Sequence, residues 1–338
     1  MRLQGGFTLV ELLVAMGLGL IVVLIASVAL QLGRQGYDAV DSSTQIRDRQ
    51  RLAIELLTRT IVQAGFEDFG AATPTFRANA ADKTLLEPDI FGWNNAVYKP
   101  FDGLLLSSIT EITNGGRPAA CGGTSTTACK NGSDILVVRY QGVTDLTHPL
   151  KPNESDNSIL NCGGWGERGL TTNDLNERGV SLFHVAQGAD GEPSLYCAYY
   201  NQTTGAWVAS TPLIEGVESF QVLYGTDLVT PNTAPVDDDP AQDSIAERWL
   251  RADQLSVAGN PVATRKNWQR VRAVRIGLVL RGPVGSAQQS ITSTSLPLGS
   301  AYSDGTNDVG SALAVPADRR LRMTSTFTVH VRNDLTTR

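Results

Sequence analysis

The chain opens on Gly5-Gly6-Phe7-Thr8-Leu9-Val10-Glu11-Leu12-Leu13-Val14-Ala15-Met16 and then continues from Leu12 to Gly33 without a charged side chain or a proline. A helix needs about 20 predominantly apolar residues to cross the hydrocarbon of a bilayer, so this run is long enough to span one. Glu11 stands at its head. A carboxylate inside such a helix costs roughly 2.5 to 3.5 kcal/mol on insertion scales, which predicts that Glu11 has a partner or a function.

A secretory signal peptide has a charged head, about 7 to 15 apolar residues and a small-residue cleavage site behind them. Here the small pair Gly5-Gly6 comes first and the apolar run is longer, so the order is inverted. A plain membrane anchor accounts for the length. It leaves the glycine, aromatic and acid at the head of the run unexplained.

Gly6-Phe7-Thr8-Leu9-Val10-Glu11 resembles the class III signal of type IV pilins and pseudopilins, which a prepilin peptidase cuts after the glycine and then N-methylates. The resemblance implies a leader over residues 1–6, cleavage between Gly6 and Phe7, methylation at Phe7, and Glu11 as the fifth mature residue. It also implies that Glu11 serves assembly. In a fibre its carboxylate would be neutralised by the Phe7 α-amino group of a neighbouring subunit, because an opposite charge offsets the cost of a buried one.

Beyond the membrane run, Ile46, Ala53, Leu57, Ile61 and Ala64 recur at helical spacing while Arg47, Asp48, Arg49, Arg51 and Arg59 fall mostly elsewhere. One helix from Phe7 to Ala64 is predicted, with a transmembrane and assembly half over 7–33 and an amphipathic half over 34–65. Gly65 is placed to end it. Gly17, Gly19, Gly33 and Gly36 are its weak points, since no proline precedes Pro74.

Residues 66–338 form the expected head. With 41% hydrophobic and 18% charged residues, the chain has ample material for a globular core. The net charge of −6 argues against a general nucleic-acid surface. From Phe66 to about Ile112, Phe69-Gly70, Phe91-Gly92-Trp93-Asn94-Asn95 and Pro100-Phe101-Asp102-Gly103 read as loops. Strands are expected at 134–140, 180–186, 195–200 and 217–224, the last with Phe220, Val222 and Tyr224 on one face. Val274, Ile276, Leu278 and Leu280 alternate with Arg275, Gly277 and Arg281, and Leu321, Met323, Phe327, Val329 and Val331 alternate with polar residues. This pattern predicts an antiparallel sheet with one face buried against the amphipathic half of the helix, an α+β arrangement. Ser244-x-x-Glu247 has the spacing of a capping box and predicts a short helix carrying Ile245, Trp249 and Leu250.

The four cysteines, Cys121, Cys129, Cys162 and Cys197, allow three pairings. Cys121 with Cys129 would close a Gly/Thr/Ser-rich loop, and Cys162 with Cys197 would pin a long loop to a strand. Disulfides are favoured over a metal site, because His148, His184 and His330 are scattered. No metal or cofactor is expected. The acidic stretches Asp237-Asp238-Asp239-Pro240 and Ser303 to Asp308 read as solvated loops without the spacing of a calcium loop. Gly164-Trp165-Gly166-Glu167-Arg168-Gly169 matches a dinucleotide fingerprint only as a string, lying in a loop with no strand before it. His184 reads as a satisfied strand histidine. With no nucleophile elbow, His-Glu-x-x-His or phosphate-loop lysine, a membrane-anchored periplasmic enzyme is the reading of a different class.

Ile214-Glu215-Gly216-Val217-Glu218-Ser219-Phe220 with Tyr224 resembles both J-type pseudopilins of type II secretion and PilW-type minor pilins. Trp268 to Arg281 and Asp318 to Arg322 leading into Thr328 to Asn333 look more like PilW. The resemblance implies a type IV pilin-like fold and a minor pilin in a tip complex that primes pilus assembly and supports a tip adhesin. The J-type pseudopilin is the alternative. Implied partners are other minor pilins, the major pilin, the prepilin peptidase and the inner membrane. Arg2 and the motif place the head in the periplasm before assembly and at the pilus tip afterwards.

Overall fold

Helix α1 (Leu9–Val62) runs unbroken for 54 residues in a computed structural model that describes residues 8–68, 88–98, 121, 129–146, 154–169, 178–202, 204–237 and 241–333. At about 1.5 Å per residue it is roughly 80 Å long. Its four glycines lie within continuous helix, and a Cβ at any of them would meet nothing within 4 Å. The helix stops where Gln63 and Ala64 turn their amides back to the Thr60 and Ile61 carbonyls, at 3.2 and 3.0 Å. Gly65 follows at φ 68 and donates to the Arg139 carbonyl at 3.0 Å, a left-handed position that suits glycine.

The amphipathic stripe is the part that packs. Ile46, Ala53, Leu57, Ile61 and Ala64 are each at most 1% exposed, against a head of two larger sheets. The first has the strand order β1 (Ile90–Trp93), β2 (Ile135–Tyr140), β3 (Gly179–Gln187), β4 (Pro193–Asn201) and β5 (Ala206–Glu215). The second runs β11 (Arg322–His330), β8 (Val271–Arg281), β6 (Val217–Thr226), β7 (Arg248–Leu250). The strand pairings in both are antiparallel. A two-stranded ribbon pairs β9 (Ser293–Ser295) with β10 (Leu313–Val315), and short helices α2 (Ala252–Leu255) and α3 (Pro261–Trp268) precede β8. Helix α1 lies on β11, β8 and β5. The fold is α+β, as expected.

Three expectations need correction. First, the head holds more than one sheet, and β6 and β8 are buried on both faces. On β8, Val274, Ile276, Leu278 and Leu280 are fully buried on one side, while Ala273 and Val279 are buried on the other. The second side is closed by the stretch around Pro297 and by Leu313 and Val315, which cluster with Val279. At Gly277 a Cβ would come 2.4 Å from the Pro297 carbonyl, so the cover is tight. Second, Phe91-Gly92-Trp93 is a strand, paired with Val137, Leu136 and Ile135. Gly92 marks a close approach, since a Cβ there would lie 2.2 Å from the Ile135 carbonyl and 2.3 Å from the Tyr224 hydroxyl. Phe69, Gly70 and the Pro100-Phe101-Asp102-Gly103 stretch lie outside the described residues.

Third, Ser244 to Glu247 does not start a helix. Ser244 sits at φ 64 with its amide on the Asp227 carboxylate, Glu247 accepts from the Leu228 amide, and the chain enters β7. Pairing of Leu250, Trp249 and Arg248 with Tyr224, Gly225 and Thr226 overrides the local capping spacing. Strand β5 was not anticipated either. It carries Pro212 on a sheet edge and pairs with β4 through two register shifts, so no clean alternation survives in its sequence.

The two large sheets are joined at Ser133 and Asp134, just ahead of β2. The Asp134 amide donates to the Phe220 carbonyl at 2.8 Å, and its carboxylate accepts from Asn95 and Val222 amides at 2.8 and 2.7 Å. Burial pushes the Asp134 carboxyl well above its usual range, with Asp308 adding to the shift. This buried acid bridges the part of β6 that β7 does not pair to the other sheet.

Candidate functional site

The N-terminus of α1 closes on itself. The Thr8 hydroxyl accepts from the Glu11 amide at 3.3 Å, and Glu11 Oε2 accepts from the Thr8 amide and hydroxyl at 3.0 Å each. This is a reciprocal capping box, which satisfies two helix-end donors with one carboxylate. Glu11 thus has a partner within its own chain. The Thr-x-x-Glu spacing that signals it is legible in the sequence at Thr8 and Glu11. Gly6 and Phe7, the expected cleavage pair, lie outside the described residues.

From Leu9 to Leu32 the large apolar side chains of α1 are exposed, with Leu9 74% and Leu20 70% accessible. Bare apolar surface on this scale marks a membrane or protein contact. Among the described residues this is the one helix long and apolar enough to cross a membrane. One helix therefore carries two chemistries: a stripe inserted into the head, and an all-round apolar shaft left for other molecules.

The structure pairs Cys121 with Cys129 and Cys162 with Cys197, with Cα separations of 5.9 and 6.0 Å. The second bridge ties the turn at 161–166 to β4. Directly after that turn Glu167 is buried, accepting from the Asn161 side chain at 2.8 Å, and burial pushes its carboxyl up to about 7. His184 lies on β3 between Tyr98 and Tyr196 rings, at centroid distances of 4.0 and 5.5 Å. Burial lowers its pKa to about 3, so at neutral pH it is a neutral, packed imidazole.

Among the described residues the acidic stretches carry no closed cage. Asp237 pairs with Lys266 at 2.6 Å, and Asp238 to Pro240 lie outside the described residues. Asp304 turns its carboxylate onto the Thr306 and Asn307 amides. One acidic group not anticipated from sequence is Asp227, Asp243 and Glu247, whose carboxylate oxygens lie within 4.8 Å of one another. Each accepts a backbone amide, from Ser244, Ile245 and Leu228 respectively, and Arg272 stands 3.6 Å from Asp227. These acids hold the 227–247 loop against β7 and β8. A larger ionic network links Glu192, Glu218 and Asp318 with Arg281, Arg320 and Arg322, binding β4, β6, β8 and the entry to β11 together.

The family model described as Type IV Pilus-assembly protein W matches residues 182–333, and that of the prokaryotic N-terminal methylation motif matches residues 1–27. No curated protein matches the chain. Among solved structures, a type IV-like pilin from Thermus thermophilus is 14% identical, with 85% of this chain and 96% of that chain covered at a TM-score of 0.40.

Proposed function

We propose that the chain is a PilW-type minor pilin of the type IV pilin superfamily, which the two family matches support, and that it acts in a tip complex that primes pilus assembly and supports a tip adhesin. The observation that carries the reading is the bare half of α1, apolar all round from Leu9 to Leu32 and headed by Glu11. Its work is structural and not catalytic. Before assembly the helix is stored in the inner membrane as a single pass, with residues 66–338 in the periplasm. A leader over 1–6 is removed between Gly6 and Phe7 by the prepilin peptidase, and Phe7 is methylated. On extraction, residues 7–33 join the helical core of the fibre beside the major and minor pilins, while the amphipathic 34–65 stays with its head.

The capping box refines the role of Glu11. In the uncleaved chain its carboxylate is engaged by Thr8. Cleavage would create a cationic amine one residue before that cap. We assign Glu11 the task of accepting the corresponding amine of a neighbouring subunit, which sets axial register. An opposite charge in a low-dielectric helix bundle is the partner such a carboxylate favours.

The test is N-terminal peptide mass spectrometry on protein from native membranes, joined to quantification of Glu11→Ala in sheared fibres. A start at N-methylated Phe7 and a severalfold loss of the variant from fibres, with normal membrane levels, are expected. An unprocessed Met1 start beside an active peptidase would overturn the pilin function. Recovery of the head chiefly with a secretion complex would instead favour a J-type pseudopilin role.

A further inference from the structure

We propose that the open edge of β11 takes up an extended segment of another protein as an added strand, one that is uncharged in its middle and acidic at its ends. β11 is terminal in its sheet and pairs with β8 alone, in one unbroken register from Arg322↔Arg281 to His330↔Ala273. Just beyond the two ends of that ladder, the Gly282 amide donates to the Leu321 carbonyl and the Val331 amide to the Arg272 carbonyl, at 2.8 Å each. Both bonds keep the same register, so the odd-numbered residues of β11 turn their backbone groups to β8. The amides and carbonyls of Thr324, Thr326, Thr328 and His330 therefore point away from the sheet, and among the described residues no backbone group pairs with them there.

An edge of this kind is a template for a further strand unless something blocks it. The other edges of the two large sheets are blocked. β7 is three residues long, β5 carries Pro212 and two register shifts, and Ile90 and Phe91 of β1 are buried at 2% exposure. β11 runs for nine residues without a proline, glycine, lysine or bulge. Its outer face is held in place, with the Thr324 hydroxyl on Ser295 at 2.7 Å and the Thr326 hydroxyl on the Pro297 carbonyl at 2.6 Å. The backbone edge stays open beside it.

The direction of α1 rules out a second copy as the occupant. Gly282, bonded to Leu321, abuts Ile46, whose side chain a Cβ there would meet at 3.0 Å. At the other end Asn333 donates to the Val62 and Ala64 carbonyls at 3.0 and 3.3 Å. α1 and β11 thus run in the same direction. Two β11 edges paired antiparallel would send the bare halves of their α1 helices opposite ways, so chains anchored through α1 in one bilayer cannot pair like this.

Charge selects the segment. α1 lies on β11, β8 and β5, and Arg49 reaches Glu215 of β5 at 2.8 Å. At 3.6 residues per turn, Arg47, Arg51, Ile54 and Thr58 project from the flank opposite Arg49, which overlooks the β11 edge, and they line one surface cleft. Arg47 and Arg51 are exposed and form no ion pair among the described residues, while Asp48, Glu55 and Arg59 lie further round the helix. The Ile46 contact places the two arginines at the Leu321 end of the strand. His330 and Arg332 are exposed at the other end, and Arg322 is already spent on Glu218 and Asp318. Between the ends stand only threonines, Ser325 and half-buried Met323 and Phe327. The bordering stretches outside the described residues are balanced: 69–87 holds Arg77 and Lys83 against Asp82 and Glu87, and 334–338 holds Asp334 against Arg338. Main-chain bonds along the edge give such a contact its affinity, and cations at both ends favour a strand with acidic termini.

The probe is the acetylated and amidated peptide Glu-Val-Thr-Val-Thr-Val-Thr-Val-Glu, added to the full-length protein in detergent, with deuterium exchange read at single amides. Without it, the Thr324, Thr326, Thr328 and His330 amides should exchange fast and those of Ser325, Phe327 and Val329 slowly. Saturating peptide should slow the first set roughly tenfold and leave the second unchanged. The peptide with its backbone amides N-methylated should slow nothing, and the version with lysine at both ends should bind about fivefold more weakly, the scale of two exposed charge contacts. Thr328→Pro removes an edge amide and spares the bonds to β8, so it should abolish the effect at an unchanged thermal midpoint. If that variant misfolds, the N-methylated peptide decides the matter on the parent protein. The inference is overturned by equal slowing of both sets, by equal binding of the lysine version, or by slow exchange of the first set before peptide is added, the mark of an edge already covered by this chain or a second copy. Since the assay needs no pilus, its failure would leave the pilus function standing.

Discussion

Glu167 illustrates how a single buried carboxylate records the cost of a rigid turn. Its hydrogen bond from Asn161 and the nearby charge of Arg168 favour the ionised form, yet burial outweighs both and leaves the group at about 7. Because the folded value exceeds the unfolded one near 4.3, the folded chain holds a proton that the unfolded chain has released between those two pH values. Stability from this group is therefore full below about pH 4 and falls as pH rises to 7, a difference of roughly 3 kcal/mol. Glu167→Gln keeps the acceptor for Asn161 and removes the titration. In thermal unfolding of the full-length protein in detergent, the variant should match the parent at pH 4 and exceed it at pH 8. Burial also raises Asp308, to about 6, and Asp134, in both proteins, so the difference between the two curves is the readout. Equal midpoints at both pH values would show that the buried charge is not destabilising.

At the scale of the element, α1 divides its sequence between two environments. Leu57 is fully buried in the core that the head shares with the helix, whereas Leu20 is 70% exposed. Leu57→Ala removes packed volume and should lower head stability by about 2 to 5 kcal/mol. Leu20→Ala should leave it within about 0.5 kcal/mol, because that residue touches nothing in the head. Denaturant unfolding of both variants in the same detergent checks the contrast, and equal losses would mean that the bare half also supports the head. Element identity elsewhere followed neighbours. β1 is short and contains glycine, so nothing local marks it as a strand. Its hydrogen bonds come from β2, 48 residues along the chain at Ile90↔Val138 and still 42 away at Trp93↔Ile135.

For the whole molecule, the two large sheets and the helix share one apolar core, and the disulfides staple loops onto it. The bridge separated by 35 residues closes a longer loop than the one separated by 8. Chain entropy assigns them about 4 and roughly 2.5 kcal/mol respectively. Replacing Cys162 and Cys197 together by Ser should lower the thermal midpoint more than replacing Cys121 and Cys129. The reverse order would place the weight on local packing around Cys121. The Cys162–Cys197 variant should also loosen the turn that carries Trp165, seen as faster amide exchange across 161–167.

The sequence by itself determined the long helix, its bare apolar half, its buried stripe and most of the central strands, because each is a pattern written in consecutive residues. Ile46, Ala53, Leu57 and Ile61 needed no knowledge of the head to be assigned inward. The alternation on β8 and β11 likewise placed Leu278 and Val329 inward before any pairing was known. Only the tertiary structure decided that the head has two large sheets and not one, that β1 and β5 exist, and that Ser244 turns into a strand. These outcomes depend on what covers a face or pairs an edge. Pro297 over Gly277, Asp134 against β6 and Leu250 beside Tyr224 are all contacts between residues distant in the chain. The turn at 161–166 belongs to the same class. Its glycines and cysteine could be read in order, but the Asn161 side chain that accepts the Trp165 amide is buried, and the turn sits against the end of α1, through packing that no local pattern encodes.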